Sequence, residues 1–351
     1  MIKYLGSKRR LVPVLGELFA RSGARTAIDA FTGTTRVAQE LKRRGAHVTA
    51  VDTARYANVF AECWIATDVN RIDTSLLADE VARLDALPGE AGYVTETFCR
   101  TSRFFQPHNG ERIDAIRAAI ERDHAKSALR SVLLTSLMLA ADRVDSTTGV
   151  QMAYVKQWAP RSHRRMQLRV PHLLNGPGIA IRGDVAALAR MLPPVDLAYL
   201  DPPYNQHRYE ANYHVWETLV AWDAPEHYGV ACKRADLRAP DGRSPFNSRR
   251  TMVPALRQLI SEVPAAVVVV SYNDESWLGR DELIDMCAQK GEVRLLAFDS
   301  RRYVGATIGV HDRSGERVGT PGRLRNTEWV VVAGPRDVVE RMTAAPLPTP
   351  G

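Results

Sequence analysis

Toward its C-terminal end the chain reads "AAVVVVSY", Ala265–Tyr272. β-Branched residues are stiff at χ1 and favour extended backbone. A run with no polar alternation has no face to offer water, so it reads as a strand covered on both sides. That is the property of a parallel sheet with helices above and below, and it makes an α/β fold the first expectation. "VDLAYL" (Val195–Leu200) and "EWVVVAG" (Glu328–Gly334) share this texture, and "EVRLLAF" (Glu292–Phe298) is a further strand candidate. If that strand pairs with the last one, the segment from Asp299 to Thr327 is a long Gly- and Arg-rich excursion.

The N-terminal region agrees. "TAIDAF" (Thr26–Phe31) is a short apolar strand, and "TGTTR" is a turn. "VAQELKRRG" is a helix with Val37, Ala38 and Leu41 on one face and Gly45 as its stop. "HVTAVD" (His47–Asp52) is the next strand, completing a βαβ unit. In the helix between the two strands, Lys42, Arg43 and Arg44 crowd the C-terminus, where cations complement the macrodipole.

The middle of the chain has a different texture. "RIDAIRAAIERD" and "SALRSVLLTSLMLAADRV" are helical by period, with Asn109 and Ser127 as N-cap candidates. The basic run "RSHRRMQLR" (Arg161–Arg169) follows. Residues 61–175 therefore read as a helical insertion into an α/β domain made of 1–60 and 176–338. Residues 205–250 form a second loop-rich excursion, and 339–351 read as a disordered, Pro-rich tail.

With 351 residues, 45% apolar and 25% charged, the chain can bury a full core. Its net charge of +7 favours an acidic partner and is compatible with nucleic acid. Cys63, Cys99, Cys232 and Cys287 have neither metal nor redox spacing and read as small core or surface residues in a reducing compartment. No metal site is expected. No apolar run approaches the roughly 18 residues of a membrane span, so a cytoplasmic protein is expected.

Ligands of open parallel sheets bind outside the carboxyl ends of the strands. Three motifs fall there. In "DAFTGTT" a glycine turn lets backbone approach a ligand, and its N–H groups suit a carboxylate or phosphate. Asp52 ends the next strand about 20 residues on, where an acid can hold a ribose diol. The dinucleotide pattern G-x-G-x-x-G is absent, because Thr35 stands in place of its second glycine. The third motif is Asp201-Pro202-Pro203-Tyr204. A structural reading has the prolines stop the strand and the acid serve as an N-cap, but a functional reading explains more of the motif. Prolines fix φ and leave carbonyls that only accept, so with Asp201 they make an acceptor array for an exocyclic amine. Tyr204 offers a stacking face for a base. Two acceptors holding both N–H groups of an aromatic amine concentrate its lone pair for attack on an activated methyl group.

These motifs, in this order, resemble the Dam-like DNA adenine-N6 methyltransferases with the alpha order of motifs. "KYLGSK" (Lys3–Lys8) is similar to that family's N-terminal motif, and "DAFTGTT" is similar to its cofactor loop. "DPPY" matches its catalytic motif, and "VSYNDES" (Val270–Ser276) resembles a later strand motif. The resemblance runs from residue 3 to about 334. It implies a Rossmann-like methyltransferase sheet with helices on both faces, and a target-recognition insertion at 61–175. It further implies S-adenosylmethionine as cofactor, double-stranded DNA as substrate and a flipped adenine as the methylated base. Carried over by residue, Asp201, Pro202, Pro203 and Tyr204 are catalytic. Tyr4, Lys8, Asp29, Phe31, Gly33, Thr34, Thr35, Asp52 and Asp184 are cofactor-binding. Asp52 then holds the ribose and Asp184 the adenine of the cofactor.

Extruding a base costs a few kcal/mol, so the duplex must be held firmly. Arg161, Arg164, Arg165, Arg169, Arg301 and Arg302 are the expected DNA contacts. The run 161–169 leads, because Trp158, His163 and Met166 interleave it with aromatic and apolar groups. His207, Tyr209, Tyr213 and Trp216 read equally as base-pocket wall or as core under a lid. A monomer is expected, compatible with a separate cognate restriction endonuclease. Competing readings are a cytosine-N4 or RNA adenine methyltransferase, and an inactive DNA-binding module. Pro-Cys, the nucleophile dipeptide of cytosine-C5 methylation, does not occur.

Overall fold

The computed structural model describes residues 2–6, 8–155, 157–203, 209–239, 244–301, 310–311, 317–319 and 325–350. In chain order the first elements are α1 (Val12–Ser22), β1 (Thr26–Asp29), α2 (Arg36–Arg43), β2 (His47–Asp52) and α3 (Arg55–Ala61). Then come α4 (Thr74–Asp85), α5 (Pro107–His124), α6 (Arg130–Val144), β3 (Gly178–Arg182), α7 (Val185–Leu188) and β4 (Val195–Leu200). The third stretch holds α8 (Tyr209–Asn212), α9 (His214–Ala221), β5 (His227–Tyr228), β6 (Lys233–Arg234), α10 (Arg249–Glu262) and β7 (Ala265–Asn273). Last are α11 (Arg280–Ala288), β8 (Glu292–Arg301), β9 (Val310–His311), β10 (Arg317–Gly319), β11 (Arg325–Gly334) and α12 (Arg336–Thr343). The fold is α/β with a mainly parallel framework of seven strands, as expected of a Rossmann-like methyltransferase.

Two compact units are each assembled from three stretches of chain. One comprises residues 5–31, 184–206 and 244–351. Its strands run β1-β4-β7-β11-β8, with β1, β4 and β7 parallel and β11 and β8 antiparallel. Every residue of β7 from Val267 to Tyr272 is buried, so the valine run is covered on both faces. Val330, Val331 and Val332 of β11 are fully buried beside it. Each such valine stabilises the fold by about 2 kcal/mol. β8 pairs with β11 as the sequence suggests, from Glu292 opposite Gly334 to Arg301 opposite Arg325. The expected disordered tail is corrected in its first part. Arg336–Thr343 is helical, with Val339 and Met342 buried, and Arg21 donates to the carbonyls of Ala345 and Pro346. Two apolar residues three apart give that helix an inner face, which outweighs the Pro-rich composition beyond it.

The other unit comprises residues 1–4, 32–183 and 207–243. Its strands β2 and β3 are parallel, with Asp52 opposite Arg182. Helix α2 buries Val37, Ala38 and Leu41. Lys42 is also buried, a correction to its reading as a cap of its own helix. Its ammonium donates to the carbonyls of Ile65 (2.7 Å) and Thr67 (2.8 Å), and burial lowers its pKa to about 8. The expected N-caps are corrected as well. Helix α5 begins at Pro107, for which a missing N–H costs nothing at N1, and Asn109 lies inside it, fully buried. There Asn109 donates to the carbonyls of Ser162 and Arg164 and accepts from the N–H of Met166. Ser127 precedes α6 by a short turn and accepts from the N–H of Leu129. In the β5–β6 hairpin the buried Arg234 pairs with both Asp223 and Asp236 at 2.7 Å.

Candidate active site

In the unit that contains residues 32–183, the turn after the first strand is tight. The N–H of Thr32 donates to Val51 O at 3.1 Å, and that of Thr35 to Thr32 O at 2.6 Å. Gly33 has φ +48°, and a Cβ on it would lie 3.0 Å from the hydroxyl of Tyr4. Only glycine fits there without displacing the tyrosine. Thr35 has φ +60° and is fully buried. This explains why a second glycine is usual in such a loop: the position is left-handed, and Thr35 occupies it under strain. Its hydroxyl oxygen accepts from Gln39 Nε2 at 2.8 Å, which anchors the strained residue.

Asp52 closes the turn. Its Oδ2 accepts from the Gly33 N–H at 2.8 Å and its Oδ1 from the Ala54 N–H at 2.9 Å. Burial pushes its pKa up to about 6, against the lowering effect of those two donors, and nearby Glu210 adds to the rise. Glu210 itself accepts from the Thr53 hydroxyl at 2.8 Å. The Gly33 donor therefore serves a carboxylate of the protein itself. Two acids at the turn disfavour a phosphate and suit a ligand with hydroxyl donors and positive charge.

An aromatic stack stands beside it. The Tyr4 ring lies parallel to Tyr213 (4.9 Å between centroids) and to Tyr209 (5.4 Å), with Tyr56 edge-on. Burial raises the Tyr4 phenol well above its ordinary range, so it stays neutral. Of the aromatic burst after the DPPY motif, Tyr213 and Trp216 are core residues, with exposures of 1%. Tyr209 is half-buried against Tyr4, while His207 lies outside the described residues. Thr34 is buried in the turn, and Asp184 caps α7, accepting from the Ala186 N–H at 2.9 Å.

In the unit that contains 184–206, the strand β4 ends at the fully buried Leu200 and delivers Asp201. Its Oδ1 meets the Lys8 ammonium at 3.2 Å and accepts from the Ser271 hydroxyl at 3.1 Å. Ser271 in turn shares a hydrogen bond of 2.7 Å with the Tyr199 hydroxyl. Lys8 also meets Glu328 at 3.3 Å. Burial works against the Lys8 charge, but Asp201 and Glu328 outweigh it and hold the ammonium above its ordinary range. Burial raises the Glu328 carboxyl, while Lys8 pulls it back and Asp201 adds to the rise. Pro202 is buried and Pro203 half-buried; Tyr204 lies outside the described residues. Asp29 is buried at the end of β1, and Phe31 packs edge-on against Phe246 at 4.9 Å.

Tyr199 and Glu328 were not among the residues singled out by sequence, and Ser271 was named only as part of the VSYNDES motif. Ser271 has a signal, as the small polar residue that directly follows the valine run; Glu328 has none beyond opening a strand.

The expected DNA contacts divide. Arg161 is engaged within the protein: it donates to Asp145 Oδ1 at 2.8 Å and to the Thr147 carbonyl at 2.5 Å. Lys3 joins the same carboxylate at 3.1 Å. Arg165 is exposed and donates to the Asp85 carbonyl at 3.1 Å. Arg164 and Arg169 are exposed, and their guanidinium groups meet no acceptor among the described residues. The side chains of Arg301 and Arg302 lie outside the described residues. Met166 is core rather than a DNA contact, being fully buried.

The family described as D12 class N6 adenine-specific DNA methyltransferase matches residues 4–253. The chain is similar to type II methyltransferase M.NlaIII of Neisseria lactamica, 27% identical over 319 residues, which cover 86% of this chain and 92% of that protein. It is similar to type II methyltransferase M.CviAII of Paramecium bursaria Chlorella virus 1, 26% identical over 314 residues, covering 86% and 92%. Modification methylase StsI of Streptococcus sanguinis is 24% identical over 328 residues, covering 88% of this chain but 50% of that longer protein.

Proposed function

The chain belongs to the D12 class N6 adenine-specific DNA methyltransferases, and from that premise we propose how its residues divide the work. The reading is a site-specific enzyme that methylates N6 of an adenine flipped out of duplex DNA, with S-adenosylmethionine as donor. The observation that carries it is the hydrogen-bonded surroundings of Asp201, with Lys8 and Ser271 both on Oδ1.

Asp201 and the Pro202 carbonyl accept the two amine hydrogens of the adenine. The Lys8 ammonium and the Ser271 hydroxyl on Oδ1 fix the position of the Asp201 carboxylate as an acceptor. It then orients the amine and concentrates its lone pair without removing a proton first. Ser271, itself held by Tyr199, fixes the direction in which the carboxylate points. Tyr204 is assigned to stacking on the flipped base.

On the donor side the residues fit S-adenosylmethionine. Gly33 keeps the turn low beside Tyr4, Asp52 offers acceptors to a ribose diol, and the acid pair Asp52–Glu210 suits a cation over a phosphate. When bound, S-adenosylmethionine supplies an electrophilic methyl group on a cationic sulfur. Lys8 is better assigned to Asp201 than to direct cofactor contact, since both of its carboxylate partners are in reach. Asp29, Phe31, Thr34, Thr35 and Asp184 are retained as residues that shape the cofactor pocket. The stretch 61–175 and the basic residues Arg164, Arg165, Arg169, Arg301 and Arg302 are assigned to DNA.

We include a cytoplasmic monomer in this reading, acting beside a separate restriction endonuclease. Among the described residues no helix is long and apolar enough to cross a membrane. Methyl-labelled S-adenosylmethionine and unmethylated genomic DNA test the whole. The wild type is expected to place label on adenine N6, and Asp201→Ala to place none. Label on cytosine or only on RNA, or equal transfer by both proteins, would sink the assignment.

A further inference from the structure

A cleft of about 300 Å³ opens in the unit that contains residues 32–183, between α2, the C-terminal part of α6 and the chain at 169–172. Arg43, Arg143, Arg169 and His172 line it, and no carboxylate does. Among the described residues, the guanidinium groups of Arg143 and Arg169 donate to no acceptor. Their acidic neighbours are already engaged: Asp142 holds Lys3 at 3.0 Å, and Glu40 holds Arg44 at 2.8 Å while standing 3.7 Å from Arg43. Burial and the charge of Arg169 both lower the pKa of Arg143 and Asp142 offsets them in part, while no carboxylate lines the cleft that the two arginines share. Like charges are placed together at a cost unless an anion joins them. The apolar wall includes Trp64, and Val170 is 41% exposed. An oxyanion flanked by apolar surface has the chemistry of a phosphodiester between two deoxyriboses.

From this we infer that the Arg43–Arg143–Arg169 cleft binds a backbone phosphate of the DNA substrate. It rests on the methyltransferase reading for the identity of the polymer, and it goes beyond it in naming a phosphate site. A small enclosed anion would need a closed cavity; this cleft is open, so the phosphate can remain part of a strand. Phosphate contacts position the duplex and carry no sequence information, so the site serves register and grip, not choice of target.

The test compares the full-length wild type with Arg143→Gln/Arg169→Gln and with Arg143→Lys/Arg169→Lys. Fluorescence anisotropy on a labelled duplex is measured across a salt series. Each lost phosphate contact lowers the slope of log K against log salt by about 0.9. The Gln pair is expected to weaken binding about tenfold or more at 0.15 M salt and to lower the slope by about one. The Lys pair should keep the slope, because charge and not guanidinium geometry sets it. An unchanged slope and affinity in the Gln pair would overturn the inference. Inorganic phosphate is titrated separately: if it binds the wild type and not the Gln pair while DNA affinity is equal in both, the cleft holds a small anion and the DNA assignment falls. Adenine methylation by the wild type, scored in parallel, separates the two levels. If it succeeds while the slope stays fixed, the phosphate site alone is wrong. If the wild type neither binds nor methylates DNA, both readings fail.

Discussion

The Lys8 ammonium lies 3.2 Å from Asp201 Oδ1 and, on its other side, 3.3 Å from Glu328. One buried cation therefore stands between two carboxylates, and removing it would leave them facing each other. Lys8→Met is expected to lower kcat for methyl transfer on the order of 100-fold, about 2.7 kcal/mol of lost electrostatic organisation. With Lys8 gone, the two acids repel and one holds its proton to higher pH. The acid limb of the kcat profile should move upward in pH relative to wild type. A large rise in cofactor Kd with kcat and its pH profile unchanged would assign Lys8 to the cofactor instead.

Thr35 makes a second, structural prediction. Its left-handed backbone costs about 1–2 kcal/mol for a residue with a branched Cβ. The hydrogen bond from Gln39 returns about 1 kcal/mol. Thr35→Ala keeps the strain and loses the bond, so it should destabilise by about 1 kcal/mol. Thr35→Gly relieves the strain and loses the bond and some chain entropy, so it should stay within about 0.5 kcal/mol of wild type. Urea unfolding of the two variants decides it: equal losses would mean that the strain carries no energy.

Asp52 predicts the pH dependence of donor binding. With a pKa pushed up to about 6, it is charged at pH 8 and becomes protonated as pH falls through 6. The protonated acid is a weaker acceptor and loses its attraction for a cation. Cofactor Kd by calorimetry should be flat above about pH 7 and rise below 6, approaching tenfold per pH unit. Asp52→Asn should bind about 10- to 100-fold more weakly and show no such rise. A wild-type Kd independent of pH between 5 and 8 would remove Asp52 from the site.

Glu217 is 2% exposed, and burial pushes its pKa up to about 7, well above the ordinary 4.5. The folded state thus prefers the neutral acid. That contribution to stability is fully present below about pH 4.5 and is lost as pH rises through 7. Glu217→Gln imitates the neutral acid and keeps an acceptor for the Tyr56 N–H, which Glu217 holds at 3.2 Å. The variant should therefore match wild type near pH 4.5 and exceed it at pH 8, by an amount on the order of 3 kcal/mol. Equal denaturation midpoints at pH 8 would show that Arg55, 3.5 Å away, already neutralises the charge.

What could be read from the residues alone follows the range of the interactions involved. The valine run of β7 and the strand His47–Asp52 declare themselves, because covering on both faces leaves a local mark in composition. Gly178–Arg182 leaves none: it is short, none of its five residues is fully buried, and it alternates weakly. The start of α5 is obscured because Pro107 and Gln106 provide it, while the better cap former, Asn109, is used three residues later to tie down a loop more than 50 residues away. The internal partners of Arg161 are hidden in the sequence for a similar reason. A basic run looks uniform in sequence, yet the engagement of Asp145 depends on where α6 ends. Asp201 was legible through its prolines; its partners at 8 and 271 became apparent only in three dimensions.

The threading of the chain sets an order on biogenesis. Lys8 leaves the ribosome early, Asp201 midway and Glu328 near the end, yet the three meet around one ammonium. Each compact unit likewise gathers its pieces from separated stretches of the chain. A nascent polypeptide can hold the glycine turn and the DPPY motif long before β11 has emerged. The ion-pair cluster of Asp201, Lys8 and Glu328 is assembled only after β11 is translated.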